Sequence, residues 1–285
     1  MVQTICICGA GTMGRGIAQV SAQAGFTTIL YELSSAVLEK AKTAIDKSLQ
    51  SLVEKGKLSA LEEKKIQARL KFTGELQRCK ADVIIEAIVE KPEIKIALFK
   101  QLAEINESQC IFASNTSSLS INSIAGQIEH PERVIGMHFF NPAPVMKLVE
   151  VVNTNDTNHE TTQTIFQLAE QMGKVPVICK DSPGFIVNRV ARPYYIEALR
   201  LAEEGISNFS TIDSLMEATG FKMGPFKLMD LIGNDINYAV SCSVYEQMNQ
   251  PERLKPSLMQ KEKVEKGELG RKTGKGYYPY PLKDN

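Results

Sequence analysis

Thr4-Ile5-Cys6-Ile7-Cys8-Gly9-Ala10-Gly11-Thr12-Met13-Gly14 runs an apolar segment straight into a G-x-G-x-x-G turn. Beyond it, Met13, Ile17, Ala18, Val20, Ser21 and Ala24 form a small-and-apolar helical face that stops at Gly25. Thr27-Thr28-Ile29-Leu30-Tyr31 then makes a second strand, closed by Glu32, 23 residues past Gly9. A lone G-x-G-x-x-G says little. Strand, glycine turn, helix, strand and acid in this order are what a dinucleotide-binding βαβ unit requires. The expected fold is α/β, a Rossmann-type doubly wound sheet. Gly9 permits the tight turn, Gly11 lets the backbone approach a pyrophosphate, and Gly14 lets the helix pack close to the strand. The helix N-terminus offers unpaired N–H groups and its dipole to phosphate. Glu32 is placed to bond the adenosine ribose hydroxyls and to repel a 2′-phosphate, favouring NAD over NADP. Ser34, Ser35 and Arg15 lie near enough in sequence to keep NADP open.

At 285 residues, 43% apolar and 23% charged, the chain has the composition of a globular protein with one large domain and a smaller companion. Lysine plus arginine equal aspartate plus glutamate at 33 each, so no global field draws it to nucleic acid or membrane. The six cysteines, at 6, 8, 79, 110, 179 and 242, form no C-x-x-C pair. They read as buried free thiols of a reducing compartment, with no metal site. No apolar run reaches the length of a membrane span, and the first strand begins without room for a signal peptide. The expected location is the cytoplasm.

Ser34 or Ser35 caps a long helical stretch through Leu38, Ala41, Ile45, Leu49 and Val53, ending at Gly56. Ser59-Ala60-Leu61-Glu62 is a capping box that opens another helix. The two make a helical hairpin inserted before the strand Leu70-Lys71-Phe72-Thr73. Lysines 55, 57, 64 and 65 near its tip read as solvated charge, unless a phosphate-bearing ligand reaches them. Residues 82–88 read as a buried parallel strand ending in Glu86 and Glu90, and Pro92 starts a helix carrying Lys95. Cys110-Ile111-Phe112-Ala113-Ser114 is the next strand, running into Asn115-Thr116-Ser117-Ser118. Ligands of such sheets bind beyond the carboxyl ends of the strands, so these segments crowd one edge. Asn115 and Ser117 read equally as helix caps and as substrate contacts.

His138-Phe139-Phe140-Asn141-Pro142 follows the apolar run Val134-Ile135-Gly136-Met137. Glu150 sits twelve residues past the histidine in the next apolar run, Lys147-Leu148-Val149-Glu150-Val151-Val152. Two short strands with a tight proline-bearing connection bring one residue of each within reach. A histidine backed by a carboxylate is a poised general base. The same spacing also fits a strand-end histidine with a glutamate merely nearby. A helix over 161–172 and the strand Val175-Pro176-Val177-Ile178 complete the first domain, placed at 1–181. Asp181-Ser182-Pro183-Gly184 marks the boundary. Helices over 185–204, 211–218 and 226–248 fill an all-α second domain at 182–285, with apolar face enough for a partner subunit. Asn188 falls in its first turns, as a helix-start residue or as one facing the cleft.

The chain resembles the 3-hydroxyacyl-CoA dehydrogenase family, in its short monofunctional 3-hydroxybutyryl-CoA dehydrogenase form, along essentially its whole length. The carriers are Gly9 to Gly14, Glu86-Ala87-Ile88-Val89-Glu90, Asn115-Thr116-Ser117-Ser118-Leu119 and Gly136-Met137-His138-Phe139-Phe140-Asn141-Pro142. Pro183-Gly184-Phe185-Ile186-Val187-Asn188-Arg189, Gly224-Pro225-Phe226 with Asp230, and the glycine-rich tail 270–278 continue it. The resemblance implies NAD-dependent interconversion of (S)-3-hydroxyacyl-CoA and 3-oxoacyl-CoA. It implies His138 as general base and Glu150 as its orienting partner, with Ser117 and Asn188 on the reacting oxygen and thioester side. For NAD it implies Gly9, Gly11, Thr12, Met13, Gly14, Glu32 and Ala87, with Glu90, Lys95 and Asn115 toward the nicotinamide half. Ser48 and Lys55 match positions that contact the CoA portion. Glu32 departs from the usual aspartate by one methylene. The resemblance also implies a homodimer through the α domain, with neither nucleic acid nor membrane as partner. The alternatives are a related dehydrogenase of a free hydroxy acid or sugar acid, of the gulonate dehydrogenase and lambda-crystallin kind, and a non-catalytic NAD-binding protein.

Overall fold

The computed structural model describes residues 2–281, and the chain divides into two compact units, Met1–Ser182 and Pro183–Asn285. The first is built on β1 (Thr4–Cys8), whose side chains are buried on both faces, as a central parallel strand requires. Helix α1 (Thr12–Gln23) follows, burying a stripe of small residues that includes Gly14, Gly16, Ala18 and Ala22. Strand β2 (Thr27–Tyr31) pairs parallel with β1. Helix α2 (Ser35–Glu54), capped by Ser34, and helix α3 (Ala60–Arg69), opened by the Ser59–Glu62 capping box, form the inserted hairpin before β3 (Leu70–Thr73). Strand β4 (Val83–Glu86), helix α4 (Pro92–Ile105), strand β5 (Ile111–Ser114), helix α5 (Ile121–Ala125) and strand β6 (Val134–Phe139) continue the winding. Strand β7 (Leu148–Asn153), helix α6 (His159–Gln171) and strand β8 (Val175–Lys180) complete it.

The sheet order is β3-β2-β1-β4-β5-β6-β7-β8. Order reverses between β1 and β4, which makes a switch point at the carboxyl ends of those strands. Every pair is parallel except β6 and β7, which run antiparallel. The core packs Ile5, Ile7 and Ile85 of the sheet against Ile17, Ile45 and Leu49 on one face, with Ile135, Val149 and Ile165 in the same cluster. Strand β4 is shorter than the 82–88 run suggests. The backbone turns after Glu86, and its carboxylate accepts the Ile88 N–H at 2.7 Å.

The second unit is helical: α7 (Val187–Glu203), α8 (Phe209–Ala218), α9 (Pro225–Ile232), α10 (Asn234–Gln247) and α11 (Leu258–Glu265). The continuous helix expected over 226–248 is two helices. Gly233, at φ +106°, breaks it, because apolar periodicity carries across a glycine that tolerates a left-handed backbone. Phe226, Met229, Tyr195, Leu199, Ile212 and Tyr277 make the core. Buried Asp230 accepts the N–H groups of Tyr277 and Tyr278 and the Tyr280 hydroxyl, each at 3.0 Å, and so fastens the glycine-rich tail to α9.

Candidate active site

The glycine turn between β1 and α1 works by close approach. Gly9 sits at φ +100°, and a Cβ there would lie 2.6 Å from the Ala87 carbonyl oxygen. A Cβ on Gly14 would lie 1.7 Å from the Gly9 carbonyl, so helix and turn touch backbone to backbone. Gly11 is different: a Cβ there meets nothing within 4 Å, and Gly11 and Thr12 are exposed with Met13 half-buried beside them. Space stands open over the start of α1, where N–H groups face outward. Glu32 bends over this turn, accepting the Ala10 N–H and the Ser34 N–H at 3.1 Å each.

The ends of β4 and β5 are wired by carboxylates. Glu86 is 0% exposed and Lys95, on α4, is 1% exposed, with Nζ 2.6 Å from Glu86 Oε1 and 3.0 Å from Glu90 Oε2. The Ser114 hydroxyl donates to the second Glu86 oxygen at 2.7 Å. Burial pushes the Glu86 carboxyl above the usual carboxylate range, against the pull of the Lys95 ammonium and these hydrogen bonds. Glu90 takes the Ser117 N–H at 3.1 Å, the Ser118 hydroxyl at 3.4 Å and a short bond from the Thr116 hydroxyl. Glu90 therefore shapes the turn that carries Ser117, and Lys95 anchors Glu90. Asn115 accepts the Phe139 N–H at 2.9 Å through its side-chain oxygen, tying the end of β5 to the residue after His138.

His138 and Glu150 are directly opposed across the antiparallel β6–β7 ladder. Opposed residues of such a ladder project from the same face. His138 Nδ1 lies 2.7 Å from Glu150 Oε2, with the residues 5% and 1% exposed. The Phe140 ring packs on the imidazole, centroid to centroid 4.6 Å. The connection between the strands is held from below by Lys174, whose Nζ donates to the carbonyls of Ala143 at 2.5 Å and Met146 at 2.9 Å. Burial lowers the pKa of that ammonium.

The first unit thus carries the glycine turn, Glu32, Ala87, Glu90, Asn115, Ser117 and His138 at or just beyond the carboxyl ends of its parallel strands, with Lys95 on α4 and Glu150 opposite His138 on β7. Ser48 and Lys55 stand elsewhere: Ser48 is half-buried within α2, and Lys55 is its exposed C-cap. Asn188 belongs to the second unit, as the second residue of α7. Sequence reading did not find the burial of Glu86, the part played by Thr116, or Lys174. A lysine after Gly173 gives no periodic signal, and only the packed β6–β7 connection reveals what it holds. Among the described residues no group of histidine, cysteine or acidic side chains is placed to hold a metal ion, all six cysteines are free, and no helix is long and apolar enough to cross a membrane.

Residues 4–182 match the 3-hydroxyacyl-CoA dehydrogenase NAD binding domain, and residues 184–280 match the C-terminal domain of that family. The chain belongs to the 3-hydroxyacyl-CoA dehydrogenase family. It is 48% identical over 281 residues to 3-hydroxyadipyl-CoA dehydrogenase of Escherichia coli, covering 98% of this chain but 59% of that longer protein. A probable 3-hydroxybutyryl-CoA dehydrogenase of Deinococcus radiodurans is 41% identical, covering 96% of this chain and 99% of its own. The crystal structure of (S)-3-hydroxybutyryl-CoA dehydrogenase from Ralstonia eutropha superposes with a TM-score of 0.94 at 38% identity, over 99% of this chain and all of that one. As a 3-hydroxyacyl-CoA dehydrogenase family member, the chain takes NAD as its cofactor. The open space at Gly11 and the acid at Glu32 suit that dinucleotide.

Proposed function

We propose that this protein is an NAD-dependent dehydrogenase that interconverts (S)-3-hydroxyacyl-CoA and 3-oxoacyl-CoA. The observation that carries the reading is the buried His138–Glu150 pair on the sheet edge that also presents the dinucleotide turn. In this reading an ionised Glu150 can only accept across the 2.7 Å contact, so the imidazole proton is on Nδ1 and Nε2 acts as the base. Nε2 takes the proton of the 3-hydroxyl, and Glu150 steadies the imidazolium that results. In the reverse direction His138 returns that proton to the 3-oxo oxygen. When bound, NAD supplies the acceptor for the hydride that leaves C3.

Ser117 and Asn188 hold the reacting oxygen and the thioester side in this reading, and orientation of that kind is worth several powers of ten in rate. Asn115 sets His138 through the Phe139 N–H and borders the nicotinamide with Glu90 and Lys95. Thr12, Met13 and Ala87 line the pyrophosphate with the three glycines, and Glu32 takes the ribose hydroxyls. Ser48 and Lys55 contact the CoA portion. The names of the relatives support an acyl-CoA substrate, and that of the Escherichia coli protein puts dicarboxylic acyl chains beside short aliphatic ones. Exposed Leu215, Leu231, Ile236 and Leu258 support homodimerisation through the second unit. Free, largely buried cysteines support a cytoplasmic location.

The test follows NADH absorbance with acetoacetyl-CoA, for the wild type and His138→Gln, with NADPH in parallel. Rapid NADH-dependent turnover, lost in a variant that still binds NADH, is expected. Turnover confined to free hydroxy or sugar acids would transfer the protein to the gulonate dehydrogenase and lambda-crystallin kind. NADH binding with no turnover of any hydroxyacyl-CoA would make it a non-catalytic binding protein.

A further inference from the structure

The connection 140–147 leaves the His138 strand and returns into the Glu150 strand, so its placement bears on both members of the pair. It folds on itself, the Pro142 carbonyl accepting the N–H groups of Val145 and Met146 at 2.9 Å each. Its first residue, Phe140, packs on the His138 ring. Its middle lies against α1: a Cβ on Gly16 would stand 3.2 Å from both Ala143 Cβ and Pro144 Cδ, and Ala143 is 2% exposed. Gly16 is two residues past Gly14, in the helix that opens from the dinucleotide turn. Lys174 Nζ takes the Ala143 carbonyl and, with it, that of Met146. The next N–H of the chain, that of Val175, donates to the Lys147 carbonyl at 2.8 Å. Ala143 is thus gripped twice, by its methyl group against α1 and by its carbonyl on Lys174.

Holding a buried ammonium on neutral carbonyls is costly, so the contact needs a use beyond filling space. The proposed reaction supplies one. Oxidising a secondary alcohol takes hydride from C3 and a proton from the oxygen bonded to it, so the two acceptors must converge on neighbouring atoms. Separate strands carry them. The dinucleotide turn follows β1 and His138 lies on β6, three places along the sheet, about 14 Å at ordinary strand spacing. The 140–147 connection is a direct strut from α1 to the His138–Glu150 pair that bypasses β4 and β5.

We propose that Lys174 is a positioning residue for the reaction: by holding the Ala143 and Met146 carbonyls it seats the 140–147 connection against Gly16 of α1, and so fixes His138 and Glu150 relative to the dinucleotide turn. The inference rests on the dehydrogenase reading above. Lys174→Met keeps the apolar stem and removes the donors, while Gly16→Ala presses on Ala143 from the helix and leaves the lysine in place.

The experiment measures the single-turnover rate of NADH oxidation by acetoacetyl-CoA in a stopped flow, and NADH affinity separately by fluorescence titration. The proteins compared are the wild type, Lys174→Met, Gly16→Ala and the double variant. Lys174→Met should slow the single turnover by roughly 100-fold, the usual effect of a misplacement of about 1 Å, with NADH affinity close to that of the wild type. Gly16→Ala should slow it by a smaller factor. The double variant should lose less than the product of the two single losses, because both act on one connection. Alanine suits a helix interior better than glycine, so Gly16→Ala decides the question should Lys174→Met fail to fold. A Lys174→Met turnover near the wild-type rate, a loss confined to NADH affinity, losses that multiply in full, or a Gly16→Ala rate equal to that of the wild type would overturn the inference and leave the dehydrogenase reading standing. A wild type silent with every 3-oxoacyl-CoA would overturn the two together.

Discussion

The Lys95 ammonium is sealed inside the first unit against Glu86, 2.6 Å away, while its other contact, Glu90, reaches the surface. One lysine thus neutralises a carboxylate that water cannot reach and steers a carboxylate that shapes the Ser117 turn. Lys95→Met breaks the pair and strands the Glu86 charge. Denaturant titration should show a loss of about 3–5 kcal/mol. Adding Glu86→Gln to that variant should restore more than half of the loss. A double variant no more stable than the single one would show that the pair does not act through the buried charge.

Gly11 and Gly14 should separate binding from folding. Gly14→Ala forces a methyl group into the Gly9 carbonyl and should cost about 1–3 kcal/mol or more in stability. Gly11→Val meets open space, so its melting temperature should stay near that of the wild type while NADH affinity falls roughly tenfold. Fluorescence titration of NADH alongside thermal melts checks both. Equal melting losses in the two variants would contradict the assignment.

If His138 is the base and Glu150 its orienting partner, as proposed, removing each should differ in degree. His138→Gln should lower kcat by about 10²–10⁴-fold, the usual worth of a positioned base. Glu150→Gln keeps the imidazole but loses the acceptor that fixes its tautomer, and should fall between that variant and the wild type. Steady-state kinetics at saturating NADH reads the order directly, and a Glu150→Gln rate equal to that of the wild type would remove Glu150 from the mechanism.

Acid stability has a local handle in the tail of the second unit. The Lys263 and Lys275 ammonium groups, 2.6 Å and 2.5 Å from Glu268, hold its carboxyl down at about 2, below the ordinary 4.5. A depressed carboxylate contributes stability that is complete above its unfolded value and is lost as pH falls through the folded one. Between pH 4.5 and about 2, the wild type should therefore lose stability more steeply than Glu268→Gln. Thermal melts across that window test it, and parallel slopes would refute it.

The parts of the fold that read well from the residues are those whose signals are local. The βαβ start is written in consecutive residues, and Ser59 to Glu62 announces its own helix start. His138 and Glu150 were also within reach of reading, because antiparallel neighbours keep partners close in sequence. What failed to show depends on distant packing. Glu86 reads as a strand-end acid facing a ligand, yet α4 covers it and turns it into the anchor for Lys95. The break at Gly233 hides inside an unbroken apolar period, since periodicity reports burial and not the sign of φ. The demands on Asn115 and Ser117, open between cap and contact on spacing alone, emerge only when Phe139 and Glu90 appear beside them.

The reversed direction of β7 has a consequence for chain entropy. A parallel neighbour to β6 would need a crossover of a dozen residues or more before it could present a carboxylate to His138. The antiparallel strand instead returns across the short connection 140–147 and makes the contact twelve residues along the chain. Closing so short a loop costs on the order of 2 kcal/mol by the logarithmic length law. Little chain entropy is therefore lost in bringing His138 and Glu150 together.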